Sequence, residues 1–240
     1  MPEAPRPASG GWKLAAVAAL LGVLIGAGAM LLANGYFVRS YLLEHPEVLP
    51  EAMERLRERE ESAMDERAVQ AIGRHRAALE TPFHGAWAGA PDGDVVLVEF
   101  FDYACGYCRV SNRDVDRLLR EDPRLKVVWR EYPVLGPNSE AAAVASLAAA
   151  KAGRFRPFYD RLFANARPTE ASIAAARQAA AVPDAALTPE FRRELERNFA
   201  IGQAIGASGT PTFVVGNRVL RGAVGYDALR EAVQAARASR

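Results

Sequence analysis

The chain has 240 residues, about half of them apolar, and its 30 basic and 29 acidic residues leave a formal net charge of +1. This composition is sufficient for a packed hydrophobic core, and the balanced charge gives no reason to expect nucleic-acid binding. Only two cysteines are present. A multiply bridged secreted scaffold is therefore excluded, and stability must come from ordinary core packing.

An apolar segment lies near the start of the chain. Residues 14–33 are uncharged and almost wholly apolar, and Arg6 and Lys13 precede them. At about 1.5 Å per residue, a helix of this length spans a hydrocarbon core of roughly 30 Å. The pattern predicts an uncleaved membrane anchor, with a signal peptide cleaved near residues 27–29 as the alternative. We assign residues 1–34 to a tail and this anchor or signal sequence, and the basic residues before it indicate that the remaining chain lies outside the cytoplasm.

Residues 35–80 are predicted to form a helical segment. Leu49, Met53 and Leu56 fall on one helical face at heptad-like spacing, within a run of many charged residues. The charges favour a solvated stalk, whereas the apolar stripe favours an oligomerisation helix that pairs with further copies of the chain. Both interpretations stay open. The stripe fades after Leu56, so we do not expect a long coiled coil.

Strand and helix patterns alternate in the next part of the chain. Residues 81–94 are rich in turn residues and mark the start of a domain. Two runs rich in β-branched and aromatic residues, 95–103 and 125–133, predict strands, and residues 106–121 between them predict a helix. This order of elements is typical of a parallel pair of strands joined by a crossover helix.

The last hundred residues predict a helical block followed by a hairpin. Residues 139–206 are Ala-rich, have helical patterns and contain no strand-like run, so they predict a helical insertion. A β-hairpin that turns at Gly216 and Asn217 follows, and an amphipathic helix begins at Tyr226. The predicted domain thus spans residues 81–240. The sequence contains no phosphate-binding glycine loop, and we predict no cofactor.

Both cysteines lie where the first predicted strand passes into the helix. Cys105 and Cys108 are separated only by Gly106 and Tyr107. Unpaired N–H groups at a helix start stabilise a thiolate, so Cys105 is the predicted attacking sulfur, and Cys108, one turn later, is expected to be more enclosed. This order suits thiol–disulfide exchange, in which the second sulfur resolves a mixed disulfide.

Two other uses of the cysteine pair stay open. An inert disulfide would close so small a loop that it would remove little chain entropy. A zinc site needs about four ligands, and besides the two thiols the chain offers only 3 histidines. The pattern favours redox chemistry over both.

These features together resemble the thioredoxin-fold thiol–disulfide oxidoreductases of the DsbA type. The stretch "VEFFDYACGYC" is similar to their strand-to-active-site motif, and "GTPTF" is similar to the loop whose proline is cis and faces the cysteine pair. The helical block resembles their inserted helical domain. The stretch "VRSYLLEHPEVLPEAMERL" is similar to the N-terminal segment of the ScsC/Com1-like branch, some of whose members oligomerise. The resemblance implies an α/β, thioredoxin-like fold with an inserted helical domain, preceded by the membrane span and a helical segment.

The resemblance also implies roles for individual residues. Cys105 and Cys108 match the nucleophile and its partner in a redox-active disulfide. Thr210 and Pro211 match the cis-proline loop, which offers backbone pairing to an extended substrate. Glu99 matches a buried acid that exchanges a proton with the second cysteine, with a solvent-facing strand glutamate as the alternative.

The dipeptide between the cysteines bears on the direction of electron flow. Gly106 and Tyr107 tune the redox poise and the access of substrate, and we place Tyr107 with the substrate-binding residues. The best-known oxidants of the family carry a histidine in this dipeptide, which this chain lacks. Together with Thr210 before the proline and the candidate oligomerisation segment, this favours disulfide isomerase or reductase activity.

The sequence therefore predicts a thiol–disulfide oxidoreductase on the periplasmic side of the inner membrane, or in the periplasm if the signal is cleaved. Its predicted partners are cysteine-containing client proteins, a membrane thiol–disulfide redox partner and further copies of the chain. Disulfide donation by an oxidase of the same fold is one alternative. The other is Cu(I) binding by the two thiolates in a copper-stress module, because Cu(I) accepts soft sulfur ligands.

Overall fold

The computed structural model describes residues 11–165 and 167–239. The chain divides into two compact units, one that ends at Glu60 and one that begins at Glu61. We describe each unit by itself.

The first unit is helical. It holds helix α1 (Gly11–Glu44) and the start of helix α2 (Val48–Glu80). The predicted membrane span over residues 14–33 falls within α1, and several of its side chains lie outside the described residues. In the part of the chain that the structure describes, no helix combines the length and the apolar character needed to cross a membrane. The predicted anchor therefore has no support from the structure.

The second unit begins earlier than the turn-rich segment that the sequence indicated. The end of α2 buries Ala71, Ile72 and Leu79 in a core that also contains Val98 and Phe100 of the sheet. These few apolar side chains are spaced along a helix that is otherwise strongly charged, so the sequence pattern did not distinguish them from a stalk. The end of α2 thus belongs to the unit that carries the sheet.

The second unit is built on a mixed five-stranded sheet with strand order β1-β3-β2-β4-β5. Strands β2 and β3 are parallel, and the other neighbouring pairs are antiparallel. The strands are β1 (Trp87–Gly89), β2 (Val95–Phe101), β3 (Leu125–Glu131), β4 (Thr212–Val215) and β5 (Arg218–Arg221). Both predicted strands of the parallel pair and the predicted hairpin are confirmed.

Strand β1 was not predicted, because it is a three-residue edge strand inside a turn-rich segment. Its three residues show no strand pattern in the sequence, and the strand is defined by its antiparallel pairing with β3. Gly89 ends it at a φ of 93°, and a Cβ there would lie 2.2 Å from the carbonyl oxygen of Leu125. Only glycine fits so close an approach of the two backbones.

Among the described residues, six further helices belong to the second unit. Helix α3 (Gly106–Glu121) joins the parallel strands, and the predicted helical block consists of α4 (Pro137–Lys151), α5 (Phe155–Phe163), α6 (Glu170–Ala179) and α7 (Pro189–Ala204). Helix α8 (Tyr226–Ala238) follows the hairpin, as predicted. The described residues between β3 and β4 contain no strand. This is the α/β class of fold that the resemblance implied.

Strand alternation decides which side chains reach the candidate site. In β2, Val98 and Phe100 enter the core on the α2 face of the sheet. Leu97 and Phe101 enter the core on the opposite face, together with side chains from α3 and α5. Because successive strand residues point to opposite faces, Glu99 lies on the same face as α3, the helix that carries Cys108.

Candidate active site

Cys105 lies at the junction between β2 and α3. It is the N-cap residue of α3, and its sulfur accepts the backbone N–H of Cys108 over 3.4 Å. Its own N–H donates to the carbonyl oxygen of Asp102 over 3.0 Å. Both cysteines are free thiols in this structure, and Cys105 is 5% exposed whereas Cys108 is fully buried. Both side chains are buried, and Cys108 is the more enclosed of the two, as expected.

A buried aspartate holds the turn that carries the cysteines. Asp102 Oδ1 accepts the N–H of Ala104 over 2.8 Å, and its Oδ2 accepts the N–H groups of Val134 and Leu135 over 2.9 and 3.0 Å. The carboxylate thus ties the turn after β2 to the segment after β3. Sequence reasoning missed this residue, although an acidic side chain at the end of a buried strand was a usable signal.

The loop before β4 meets Cys105 from a distant part of the sequence. The Cys105 sulfur lies 3.2 Å from the carbonyl oxygen of Thr210, to which it donates a hydrogen bond when it is protonated. The peptide bond between Thr210 and Pro211 is cis, as the resemblance implied. Pairing of β4 with β2, which sets Thr212 opposite Phe100, brings this loop beside the cysteine turn.

The Tyr107 side chain lies at the surface of the site. It is 70% exposed, so it is accessible to a binding partner rather than packed in the core.

The two thiols have opposite acid–base character. The pKa of Cys105 is lowered to about 5, chiefly because the Cys108 thiol donates a hydrogen bond to its sulfur, with further help from Thr210 and from backbone N–H groups at the helix start. Burial raises the pKa of Cys108, as do its hydrogen bond to Cys105 and the charge of Glu99. At neutral pH Cys105 is therefore a thiolate, and Cys108 holds its proton until a base removes it.

Glu99 is completely buried, as the resemblance implied. Its Oε2 accepts the indole N–H of Trp129 over 2.9 Å, because parallel pairing sets Glu99 directly beside Trp129. Burial raises the pKa of Glu99 to about 8, and the Trp129 hydrogen bond opposes that rise. The carboxyl therefore exchanges its proton near neutral pH, and its charge acts on Cys108.

The arrangement combines a thiolate, an enclosed thiol and a buried acid of raised pKa on one side of the sheet. Among the described residues, no group of three or more His, Cys, Asp or Glu side chains is placed to hold a metal ion. The two thiols and the buried acid of this site can support sulfur-based exchange with proton transfer.

Comparison with known proteins assigns the family. A family model described as a DSBA-like thioredoxin domain matches residues 96–234, which is more than half of the chain. The chain belongs to the DSBA-like thioredoxin domain family. A second model, the copper resistance protein ScsC N-terminal domain, matches residues 35–63 of this DSBA-like chain. The resemblance to the ScsC-like branch is therefore confirmed.

Solved structures share this fold over most of their length. A periplasmic thioredoxin-like protein from Salmonella enterica serovar Typhimurium is 26% identical with a TM-score of 0.64, over 68% of this chain and 95% of that one. The catalytic domain of Proteus mirabilis ScsC is 29% identical with a TM-score of 0.66, over 71% of this chain and 98% of that one. The DSBA-like chain thus has a thioredoxin-like α/β fold.

The matches to curated relatives cover different fractions of those proteins. Disulfide bond formation protein D of Bacillus subtilis is 25% identical over 61% of this chain and 74% of that protein. The Na(+)/H(+) antiporter NhaA 3 of Salinispora tropica is 34% identical over 63% of this chain, but the match spans only 24% of the antiporter. The DSBA-like chain therefore corresponds to about a quarter of that relative.

Proposed function

We propose that this DSBA-like chain is a thiol–disulfide oxidoreductase, that Cys105 and Cys108 are its redox pair, and that its substrates are cysteine-containing proteins. The observation that carries the proposal is the placement of the Cys105 sulfur. It lies at the start of α3, 3.2 Å from the Thr210 carbonyl oxygen, with a pKa lowered to about 5. A thiolate held beside a loop that offers backbone groups to a substrate is suited to attack a protein disulfide.

Reduction of a client disulfide proceeds in two exchanges. The Cys105 thiolate attacks one client sulfur, so a Cys105–client disulfide forms, the client S–S bond breaks, and the other client sulfur leaves as a thiolate. Cys108 then loses its proton and attacks the Cys105 sulfur. The client leaves with both sulfurs reduced, and its two electrons come from the pair, which becomes the Cys105–Cys108 disulfide.

Glu99 supports the second exchange. Burial raises the pKa of Cys108, so its attack needs a base within the protein. Glu99 has a pKa of about 8 and lies on the same face of the sheet, so it accepts the proton of Cys108 at mildly alkaline pH and returns it in the reverse direction.

The favoured direction is disulfide isomerisation or reduction. The dipeptide between the cysteines, Gly106 and Tyr107, contains no histidine. This composition supports the proposal that the cysteine pair is only a modest oxidant. Isomerisation ends when a client thiolate displaces Cys105, so the pair stays reduced. Reduction needs a dithiol donor to restore the pair, and we assign that role to a membrane thiol–disulfide partner.

The proposed location is the periplasm. The related Salmonella structure is of a periplasmic protein, and a disulfide-exchange protein needs a compartment in which client disulfides persist.

We also propose that the chain forms a homo-oligomer through α2. Leu49, Met53 and Leu56 are each more than half exposed, and a partner copy would bury this apolar stripe. Several redox pairs would then act on one client at high effective concentration.

The proposal is tested by trapping. The Cys108→Ser protein, mixed with a disulfide-containing peptide, should accumulate a peptide adduct on Cys105 that mass spectrometry detects, because the resolving sulfur is missing. The Cys105→Ser protein should form no adduct above background. An adduct that depends on Cys108 instead would reverse the two roles, and no adduct in either protein would refute the proposed function.

Cu(I) binding is the second candidate function. It is favoured by the match of residues 35–63 to the N-terminal domain model of copper resistance protein ScsC and by the two closely placed thiols. Two thiolates suit Cu(I) as soft ligands. Stoichiometric Cu(I) retention against a competing chelator, lost in Cys105→Ser, would support this candidate. Substoichiometric retention together with rapid disulfide exchange would reject it.

A further inference from the structure

Arg156 links the helical insertion to the helix that carries the cysteines. It lies on α5, and its Nη2 donates to Asp116 Oδ1 on α3 over 3.0 Å and to Asp160 Oδ1 over 2.9 Å. Its guanidinium carbon lies 4.9 Å from the centre of the Trp129 ring and 5.3 Å from that of Tyr159. Arg156, which belongs to α5, therefore contacts both α3 and β3.

The indole of Trp129 stands between this cation and the buried acid. Arg156 lies over the face of the ring, and the N–H at the ring edge donates to Glu99 Oε2 over 2.9 Å. A cation over the electron-rich face draws electron density from the ring, which makes the indole N–H a stronger donor. The positive charge thus acts on Glu99 both directly and through the hydrogen bond of Trp129.

The hydrogen bonds also define where the proton of Glu99 resides. Oε2 is occupied by the Trp129 N–H, whereas the buried Oε1 has no hydrogen-bond partner among the described residues. A neutral carboxyl carries its hydrogen on one oxygen, and we assign that hydrogen to Oε1 because Oε2 already accepts the Trp129 N–H. Arg156 Nη1 is likewise buried without a hydrogen-bond partner in the described part of the chain.

We propose that Arg156 is a positioning residue that holds Trp129 and the Glu99 carboxyl in the arrangement needed for proton transfer between Glu99 Oε1 and Cys108. The inference rests on the proposed redox function of the cysteine pair. Its new content is that the inserted helical segment, through α5, controls the acid–base chemistry beneath the pair.

The charges around Glu99 give the sign of the effect. Arg156 lowers the pKa of Glu99, whereas Asp116 and the Cys105 thiolate raise it. Tyr159 and Cys108 also face the carboxyl, and both carry their protons because burial raises the pKa of each. Loss of the guanidinium removes the one cation of this group and leaves the Asp116 charge uncompensated. The pKa of Glu99 should then rise.

The Arg156→Met protein tests the inference, because methionine keeps an apolar stem and removes the charge. We expect the midpoint of the Glu99 titration, followed by its carboxyl ¹³C chemical shift, to rise by about one pH unit, as is common when an opposite charge is removed nearby. Since only ionised Glu99 accepts a proton, resolution of the mixed disulfide at pH 7 should slow about tenfold. Arg156→Lys should restore part of both.

Two controls separate positioning from general damage. Arg161→Met removes an exposed cation from the same helix and should leave both the titration and the resolution rate unchanged. In the Glu99→Gln background, Arg156→Met should no longer alter the pH dependence of resolution. If Arg156→Met does not fold, Arg156→Lys is compared with wild type instead. Lysine keeps a positive charge on a shorter side chain, so its charge acts less strongly on Glu99, and the midpoint of the Glu99 titration should still rise in part.

The two proposals fail in different ways. Absence of any adduct in the trapping experiment would refute the redox function itself. Normal trapping with an unshifted Glu99 midpoint in Arg156→Met, or an equal shift in Arg161→Met, would refute only the role of Arg156. A shifted midpoint with an unchanged pH profile of resolution would also refute it.

Discussion

Burial of Glu99 has a consequence for stability that a single substitution measures. Folding raises the pKa of this carboxyl from 4.5 to about 8, chiefly by burial. The folded state therefore holds the proton over a pH range in which the unfolded chain has released it. Ionisation favours the unfolded state as the pH rises through this range, so Glu99 lowers the free energy of unfolding progressively between about pH 4.5 and 8.

The magnitude follows from the width of that range. A difference of about 3.5 pH units, at about 1.4 kcal/mol per unit, corresponds to about 5 kcal/mol above pH 8 and to about 3 kcal/mol at pH 7. Glutamine at this position has no proton to release. We expect the difference in the free energy of unfolding between Glu99→Gln and wild type to grow by about 4 kcal/mol from pH 4.5 to pH 8, in favour of Glu99→Gln.

The assay is chemical denaturation of both reduced proteins at a series of pH values. The difference between the proteins is the informative quantity, because Cys105, whose pKa is lowered to about 5, adds stability to both as the pH rises above that value. Glu196→Gln, an exposed position on α7, serves as the matched control and should show no pH-dependent difference. If the difference in the free energy of unfolding between Glu99→Gln and wild type stayed constant over this pH range, the inference that Glu99 is buried and holds its proton would be wrong.

The remaining predictions concern the thiols and the start of helix α2. Since the pKa of Cys105 is lowered to about 5, the rate of its alkylation by iodoacetamide should fall as the pH drops through about 5. Cys108 should stay unmodified in the folded protein. An alkylation midpoint near 8.5, about the pKa of a free cysteine, would contradict the role of the hydrogen bonds at the helix start. Replacing Leu49 and Leu56 together by Asp should turn an oligomer into a monomer in sedimentation, whereas Glu58→Lys, on the opposite face of α2, should not. A wild-type chain that sediments as a monomer would leave this segment as a stalk.

Much of the candidate site could be predicted because it is local in sequence. Cys105 and Cys108 belong to one turn and the start of one helix, and helix-start chemistry is enough to arrange them, whereas the burial of Glu99 was implied only by the family resemblance. The loop at Thr210 was predicted only through family resemblance, since its contact with Cys105 depends on the pairing of β4 with β2.

Other parts of the site depend on contacts between elements that are distant in sequence. Trp129 reaches Glu99 through the register of two parallel strands, and Arg156 reaches Trp129 from a helix that no local pattern connects to the cysteines. Asp102 joins the turn after β2 to the segment after β3 through three backbone N–H groups. Each of these contacts depends on which face an element presents to another, which periodicity alone does not define.

The amino-acid sequence by itself determined most of the helices and strands of this protein and the place of its cysteine pair at a helix start, because propensity, alternation and helix-start electrostatics act within a few residues. Only the tertiary structure decided the acid–base state of Glu99 on the same face of the sheet as that pair. The raised pKa of Glu99 comes from complete burial beneath packed helices, and its proton is positioned by Trp129 and faced by the charge of Arg156. Desolvation and the approach of distant charges arise only when the chain is folded, so no local pattern carries them.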